Sequence, residues 1–235
     1  MSQTDGVIEL RRASTRFLTT EAGRTTHHSF SFGAHYDPAN TGFGALVCHN
    51  DDLVQPGFGY DDHPHANLEI VTWVLDGALT HGDTGGTRTV GAGQVQVLSA
   101  GSGVRHSETV DAGAGVTRFV QTWVRPDAAD TVPTHRIEAV DLGDGFTEVA
   151  GPSSLALGTR GASLSVARLE AGSGLVVPAA ARAHLFVATG QVALGLDVLT
   201  EADAARLTES DALELTCLED AELMLWSFSP PGSAH

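Results

Sequence analysis

The sequence predicts an all-β protein of two antiparallel β-barrels, and three observations lead there. Glycine is abundant, 27 of 235 residues, while charged residues make up only 18%, a balance that suits a turn-rich β chain better than a helical one. Short apolar or alternating runs recur, punctuated by Gly, Asp, Asn or Pro, with no helical pattern between them; antiparallel sandwiches and barrels have this texture. The second half of the chain reads as a worn copy of the first, and 42% hydrophobic content is enough to give both halves a core.

Taken in order, HSFSFGAHY, GFGALVCHN, LEIVTWVLDG, GGTRTVGAG, QVQVLSAG and VTRFVQTWV each read as a strand or a strand with its turn. In HSFSF, alternation puts Phe30 and Phe32 on one face and Ser29 and Ser31 on the other. EIVTWVL is almost continuously apolar, as a strand buried on both faces would be. HGDTGGT joins two strands with the residues a tight turn needs. RPDAADTVPTHR, with two prolines and many polar residues, reads as part of a linker. The expected division is an N-terminal domain over 1–130, a linker over 131–150 and a C-terminal domain over 151–235. Strand-like runs resume in ASLSVARLEAGSGLVVP, AHLFVATGQVALG, ALELTCLED and ELMLWSF, with LTEADAARL as a short helical turn.

The internal copy pairs EIVTWVLDGALTHGD with HLFVATGQVALGLD. GSGLVVPAAARAH then stands where the first half has GFGYDDHPHANLE, so Pro178, Ala179 and Ala180 occupy the place of His63 and His65. The copy keeps the scaffold and loses the polar centre.

A formal net charge of −16 repels phosphate backbones, which argues against direct nucleic-acid binding. Cys48 and Cys217 stand alone, in no CxxC pair, and read as buried thiols of a reducing compartment. MSQTDGVIELRRASTRF lacks the apolar core of a signal peptide, and no apolar run approaches the ~20 residues of a membrane helix; a soluble cytoplasmic protein is expected. There is no GxSxG elbow and no Walker A sequence, and the GxG of GFGYDDHP is followed by no helix pattern.

The chemistry concentrates in DDHPHANLE. His63 and His65, at i and i+2, project to one side of an extended segment and can chelate one ion. Pro64 fixes φ and removes a competing N–H donor. Alone, the pair is equally a loop with two solvated histidines. GSGVRHSET supplies His106 and Glu108 at the same spacing, although these two could simply bond one another at a strand end. Together, three imidazoles and one carboxylate from neighbouring strands suit Fe(II), Mn(II), Ni(II), Cu(II) or Zn(II) and leave room for substrate. Unbroken alternation from His65 also puts Glu69 on the ligand face, as a rival or fifth ligand, unless a bulge turns it away. His27, His28, His35, His49 and His81 are scattered and read as core-edge or surface residues, with His28 the one placed to face a cavity. His135, His184 and His235 fall outside the equipped half.

HHSFSFGAHYDP, GFGYDDHPHANLEIVTWVLDGALTHGDTGG and GQVQVLSAGSGVRHSE together resemble the pirin family of the cupin superfamily, over roughly residues 10–125 and more weakly beyond. The resemblance implies a bicupin, two jelly-roll β-barrels packed face to face, with one divalent metal in the N-terminal barrel and none in the degenerate C-terminal one. It implies His63, His65, His106 and Glu108 as the metal ligands, and excludes Glu69, because pirins take their carboxylate from the HxE pair. Fe(II) is the first expectation, with Mn, Ni, Co, Cu or Zn as alternatives. His27 departs from a commonly aromatic position, and the C-terminal half is short and Ala-rich. Bacterial pirins are associated with quercetin 2,3-dioxygenase activity, so the implied reaction is cleavage of a flavonol by O2. Glu108 would be the catalytic residue, taking the 3-hydroxyl proton, and Gln121 or Trp123 would form part of the pocket wall. The second reading is a non-catalytic metal or redox sensor that regulates a protein partner in transcription or metabolism. The chain is expected to be a monomer, since paired barrels bury one another.

Overall fold

Alternating side chains and glycine-rich turns give a chain whose regular structure is almost entirely strand among the described residues. The computed structural model describes residues 6–229, which leaves His235 outside the described residues. Among the described residues the helical structure is one 3-10 turn at Ala13–Thr15, and no helix is long and apolar enough to cross a membrane.

The described residues divide into two compact units: 16–141 with 157–160, and 6–15, 142–156 and 161–229. Strand β1 (Val7–Arg11) opens the chain but belongs to the second unit, where it pairs with a strand almost two hundred residues on. The first unit holds β2 (Phe17–Glu21), β3 (Arg24–His28), β4 (Leu46–Val54), β5 (Gly59–His65), β6 (Glu69–Asp76), β7 (Ala78–Asp83), β8 (Gly86–Gly91), β9 (Gln94–Ser99), β10 (Val104–Thr109), β11 (Thr117–Val124) and β12 (Thr134–Ala139). They form two antiparallel sheets, ordered β12-β9-β6-β11-β4-β3-β2 and β5-β10-β7-β8. Strand β6 is buried from Glu69 to Val74, as its continuous apolar run predicts. HGDTGGT makes the expected tight turn, with Asp83 paired to Gly86 across it.

The second unit holds β13 (Thr147–Ala150), β14 (Ala162–Leu169), β15 (Gly174–Val177), β16 (Ala180–Leu194), β17 (Asp197–Thr200), β18 (Ala204–Ser210) and β19 (Leu213–Phe228). One antiparallel sheet runs β1-β18-β16-β19-β14-β13, with β15 on β19 and β17 on β16. Cys48, in the first unit, and Cys217, in the second, are both free and buried.

Three local expectations differ from the structure. HSFSF is not a strand: past His28 it is a loop stitched to its neighbours, Ser29 N–H to the His49 carbonyl and Ser31 N–H to that of Asn40, and it turns at Gly33 with φ 56°. LTEADAARL is not helical. It is the end of β17, a turn at 201–202 and the start of β18; Ala202 has φ 66°, and the Asp203 side chain accepts the Thr200 N–H. The segment 131–150 carries two strands. The polar edge strand β12 pairs with β9 and directs His135 and Ile137 inward, a period-2 pattern that the surrounding prolines mask.

Candidate metal centre

The i, i+2 rule works on three adjacent strands of one sheet. β10 lies between β5 and β7, with His106 opposite His63 on one side and Asp83 on the other, while Glu108 faces His81. Residues opposite one another share a face, so His63, His65, His106, Glu108, His81 and Asp83 are carried on one surface. The ring centroids of His63 stand 4.8 Å from those of His65 and 4.5 Å from His106, and His65 to His106 is 5.2 Å. One ligating atom from each of these three lies within 4.8 Å of the others; the same holds for His81, His106 and Glu108, and for His81, Asp83 and His135.

Hydrogen bonds decide which nitrogen of His63, His81 and His106 has a free lone pair. His63 Nδ1 lies 2.7 Å from the Asp61 carbonyl oxygen. A carbonyl only accepts, so the proton sits on Nδ1 and the lone pair on Nε2. His81 Nε2 donates to Asp83 Oδ2 at 3.2 Å, leaving its Nδ1 to accept from His106 Nδ1 at 3.4 Å; His106 then also keeps its lone pair on Nε2. This carboxylate–histidine support is the arrangement that orients metal-ligating imidazoles. The Nε2 atoms of His65 and His106 are buried with no hydrogen-bond partner, a state that costs about 1–3 kcal/mol per group if nothing satisfies it. Burial first, then the neighbouring His63 and His106, push the His65 pKa down to about 4. Burial, then His63 and His81, push His106 down to about 3. Both rings are therefore neutral at pH 7 and able to donate a lone pair, and the donor set fits a divalent transition ion.

Glu108 is held from the opposite sheet. Gln96 Nε2 on β9 donates to Oε1 at 3.0 Å and Gln121 Nε2 on β11 donates to Oε2 at 2.7 Å. Both amides are themselves oriented, Gln121 Oε1 by the Trp123 indole N–H at 3.1 Å and Gln96 Oε1 by His135 Nε2 at 2.9 Å. Trp123 also sets its edge against His65, at 4.8 Å between centroids and 74°, so Gln121 and Trp123 both face the site, as their shared parity requires.

Residues 10–124 match the family model described as Pirin, and residues 159–227 that described as the quercetinase C-terminal cupin domain. The chain is 42% identical over 229 residues to a Mycobacterium tuberculosis protein named "Putative quercetin 2,3-dioxygenase", covering 93% of this chain and 94% of the relative. The chain belongs to the pirin family. In Escherichia coli K12, a family relative named quercetin 2,3-dioxygenase is 29% identical over 235 residues, 95% of this chain and all of its own length. The crystal structure of the Escherichia coli pirin YhhW in complex with nickel(II) superposes with a TM-score of 0.89 at 30% identity, covering 95% of this chain and 100% of that one. The all-β, bicupin-type fold of pirins is thus the fold of this chain.

Within this pirin fold, the structure brings His63, His65, His106 and Glu108 to one region, while Glu69 goes elsewhere. Its carboxylate accepts from Ser99 Oγ at 2.7 Å. Between His65 and Glu69 the chain crosses from the four-stranded to the seven-stranded sheet, turning at Asn67 with φ 54°, so alternation does not carry across. His81, read as a scattered histidine, is fully buried at the centre. The i, i+2 rule applied to HGD would have found it with Asp83. His135 and Gln96 had no such signal, because their role depends on β12 pairing with β9.

Proposed function

We propose that this pirin is a metal-dependent dioxygenase that cleaves flavonols such as quercetin with O2, and that His63, His65, His106 and Glu108 hold its single metal. The observation behind the proposal is the convergence of three imidazoles, with the free lone pairs of His63 and His106 on Nε2 and the Nε2 atoms of His65 and His106 buried and otherwise unsatisfied. Relatives named quercetin 2,3-dioxygenase supply the substrate class. Fe(II) remains the first expectation, with Mn, Ni, Co, Cu or Zn as alternatives; nickel is the ion in the related pirin structure. A divalent ion in this site supplies a Lewis acid that makes an enolic hydroxyl more acidic and draws the reactants together.

The side chains do the rest. Glu108 accepts the 3-hydroxyl proton of the flavonol. The Gln96 and Gln121 amides keep its carboxylate aimed, since they grip it from strands β9 and β11 rather than from its own strand. The Trp123 indole, edge-on to His65 and 5.2 Å from Phe32, gives an aromatic contact surface for a flat substrate.

The test is to prepare metal-free protein, load it separately with Fe, Mn, Ni, Co and Cu, and follow loss of flavonol absorbance under air. Turnover with CO release is expected, with one metal per chain by elemental analysis. No turnover with any of the five ions sinks the dioxygenase reading and puts the partner-regulating one ahead.

A further inference from the structure

Beside the candidate metal centre the first unit has a cavity of about 890 Å³, a size that holds a small organic ligand. Pro64, Leu98, Val104 and Pro133 give it apolar surface. Arg88, Arg105, His135 and Asp83 are its polar lining, and His65 lies on its wall. In a chain with 13 Lys and Arg against 29 Asp and Glu, a cavity lined by two arginines and one carboxylate reverses the prevailing sign.

The two arginines are not equivalent. Arg105 is committed to Asp62, with Nε at 2.7 Å and Nη2 at 2.5 Å from Oδ2. Arg88 uses only Nη1, at 3.3 Å from Asp83 Oδ2 and 2.6 Å from His135 Nδ1; its Nε and Nη2 make no hydrogen bond among the described residues. A guanidinium with an uncommitted edge can take an oxyanion through two parallel N–H bonds. Arg88 is also the outer end of a directed chain. It donates to His135 Nδ1, His135 Nε2 donates to Gln96 Oε1, and Gln96 Nε2 donates to Glu108 Oε1. The cavity therefore communicates with the candidate catalytic carboxylate.

We propose that this cavity binds a planar aromatic ring bearing an oxyanion, a phenolate or carboxylate, with Arg88 as its anchor and the Pro64–Val104–Pro133 surface under the ring. The ring is either the far ring of the dioxygenase substrate, in which case the inference rests on the reading above, or a separate aromatic acid.

Calorimetric titration of the metal-free protein keeps chelation out of the measurement. With 3,4-dihydroxybenzoate as probe, binding is expected, weakened tenfold or more by Arg88→Leu and partly restored by Arg88→Lys, which keeps the charge without the fork. Val104→Glu, which places a negative charge against the ring, should abolish it. Quercetin competing with the probe identifies the cavity as a substrate subsite; Arg88-dependent probe binding without competition identifies a separate aromatic-acid site. Absence of probe binding, or affinities within twofold in folded Arg88→Leu and Val104→Glu, overturns the proposal. These outcomes do not depend on turnover, so failure of the dioxygenase reading is separately visible.

Discussion

The two units build antiparallel β-structure from the same kind of sequence but differ in the polar groups they bury. In the C-terminal unit, Leu185, Val187, Val192, Leu199, Leu207, Leu215, Leu223 and Leu225 form one apolar cluster. The first unit has an apolar core too, with Val54, Val74, Leu79, Val90 and Phe119 in one cluster and Leu46, Ile70, Val71 and Trp73 fully buried, but His81, Gln96, His106, Glu108 and Thr122 are buried as well. A buried polar group destabilises unless it is hydrogen-bonded; cross-sheet bonds from Gln96 and Gln121 do this for Glu108, while the Nε2 atoms of His65 and His106 are left without a partner. Where it keeps His63 and His65 at the end of β5, the C-terminal unit has Pro178 and Ala179 between β15 and β16. The first unit thus adds a cluster of converging polar groups to an apolar core, and the second does not keep the two histidines of that cluster.

The largest effect should come from Glu108→Gln. It keeps the size and loses the proton acceptor, so turnover should fall by about 10²–10⁴-fold with the far-ultraviolet spectrum unchanged. Full activity would show that Glu108 takes no proton. Leu223→Ala tests the other half of the contrast: emptying the apolar interior should cost about 2–5 kcal/mol in denaturant unfolding and leave metal stoichiometry untouched. The reciprocal change, His106→Ala, should abolish metal retention while the folded spectrum persists, because packing rather than the ion supplies most of the stability. His81→Leu removes the acceptor that orients His106, and metal affinity should drop by about 10–100-fold in a competition titration with a chelator.

The smallest effect is a pH slope in the metal-free protein. His65 and His135 are lowered to about 4 and His106 to about 3, each chiefly by burial, against 6.5 in the unfolded chain. Between pH 6.5 and about 4 the unfolded chain binds protons that the folded one refuses, so stability falls on acidification and is retained above pH 6.5. Asp52, raised to about 7 by burial, works in the opposite direction, because its ionisation is harder in the folded chain. Melting temperatures from pH 8 to 4 should therefore decline more steeply in Asp52→Asn and less steeply in His135→Gln. A flat profile in all three proteins would mean that these rings are not buried neutral.

Much of this was legible in one dimension because strand periodicity is local. Alternation is enough to set His63 with His65 and His106 with Glu108, and glycine-rich turns are enough to mark β7 and β8. HSFSF misled because it has the alternation of a strand, yet its N–H groups go to the His49 and Asn40 carbonyls rather than to a ladder. Residues 131–150 misled in the reverse sense: proline and polar composition masked two edge strands whose existence depends on β9 and β14 being there to pair with.

By itself, then, the sequence determined the all-β class and the two strands that carry His63 with His65 and His106 with Glu108, because each follows from the spacing of neighbours along one chain. Tertiary structure alone decided that β10 lies between β5 and β7, that Glu69 leaves the ligand face, and that His81, His135, Gln96 and Gln121 stand around His106 and Glu108. Those outcomes depend on sheet order and register, which are set by pairing between segments far apart in sequence and by the cost of leaving buried polar groups without partners.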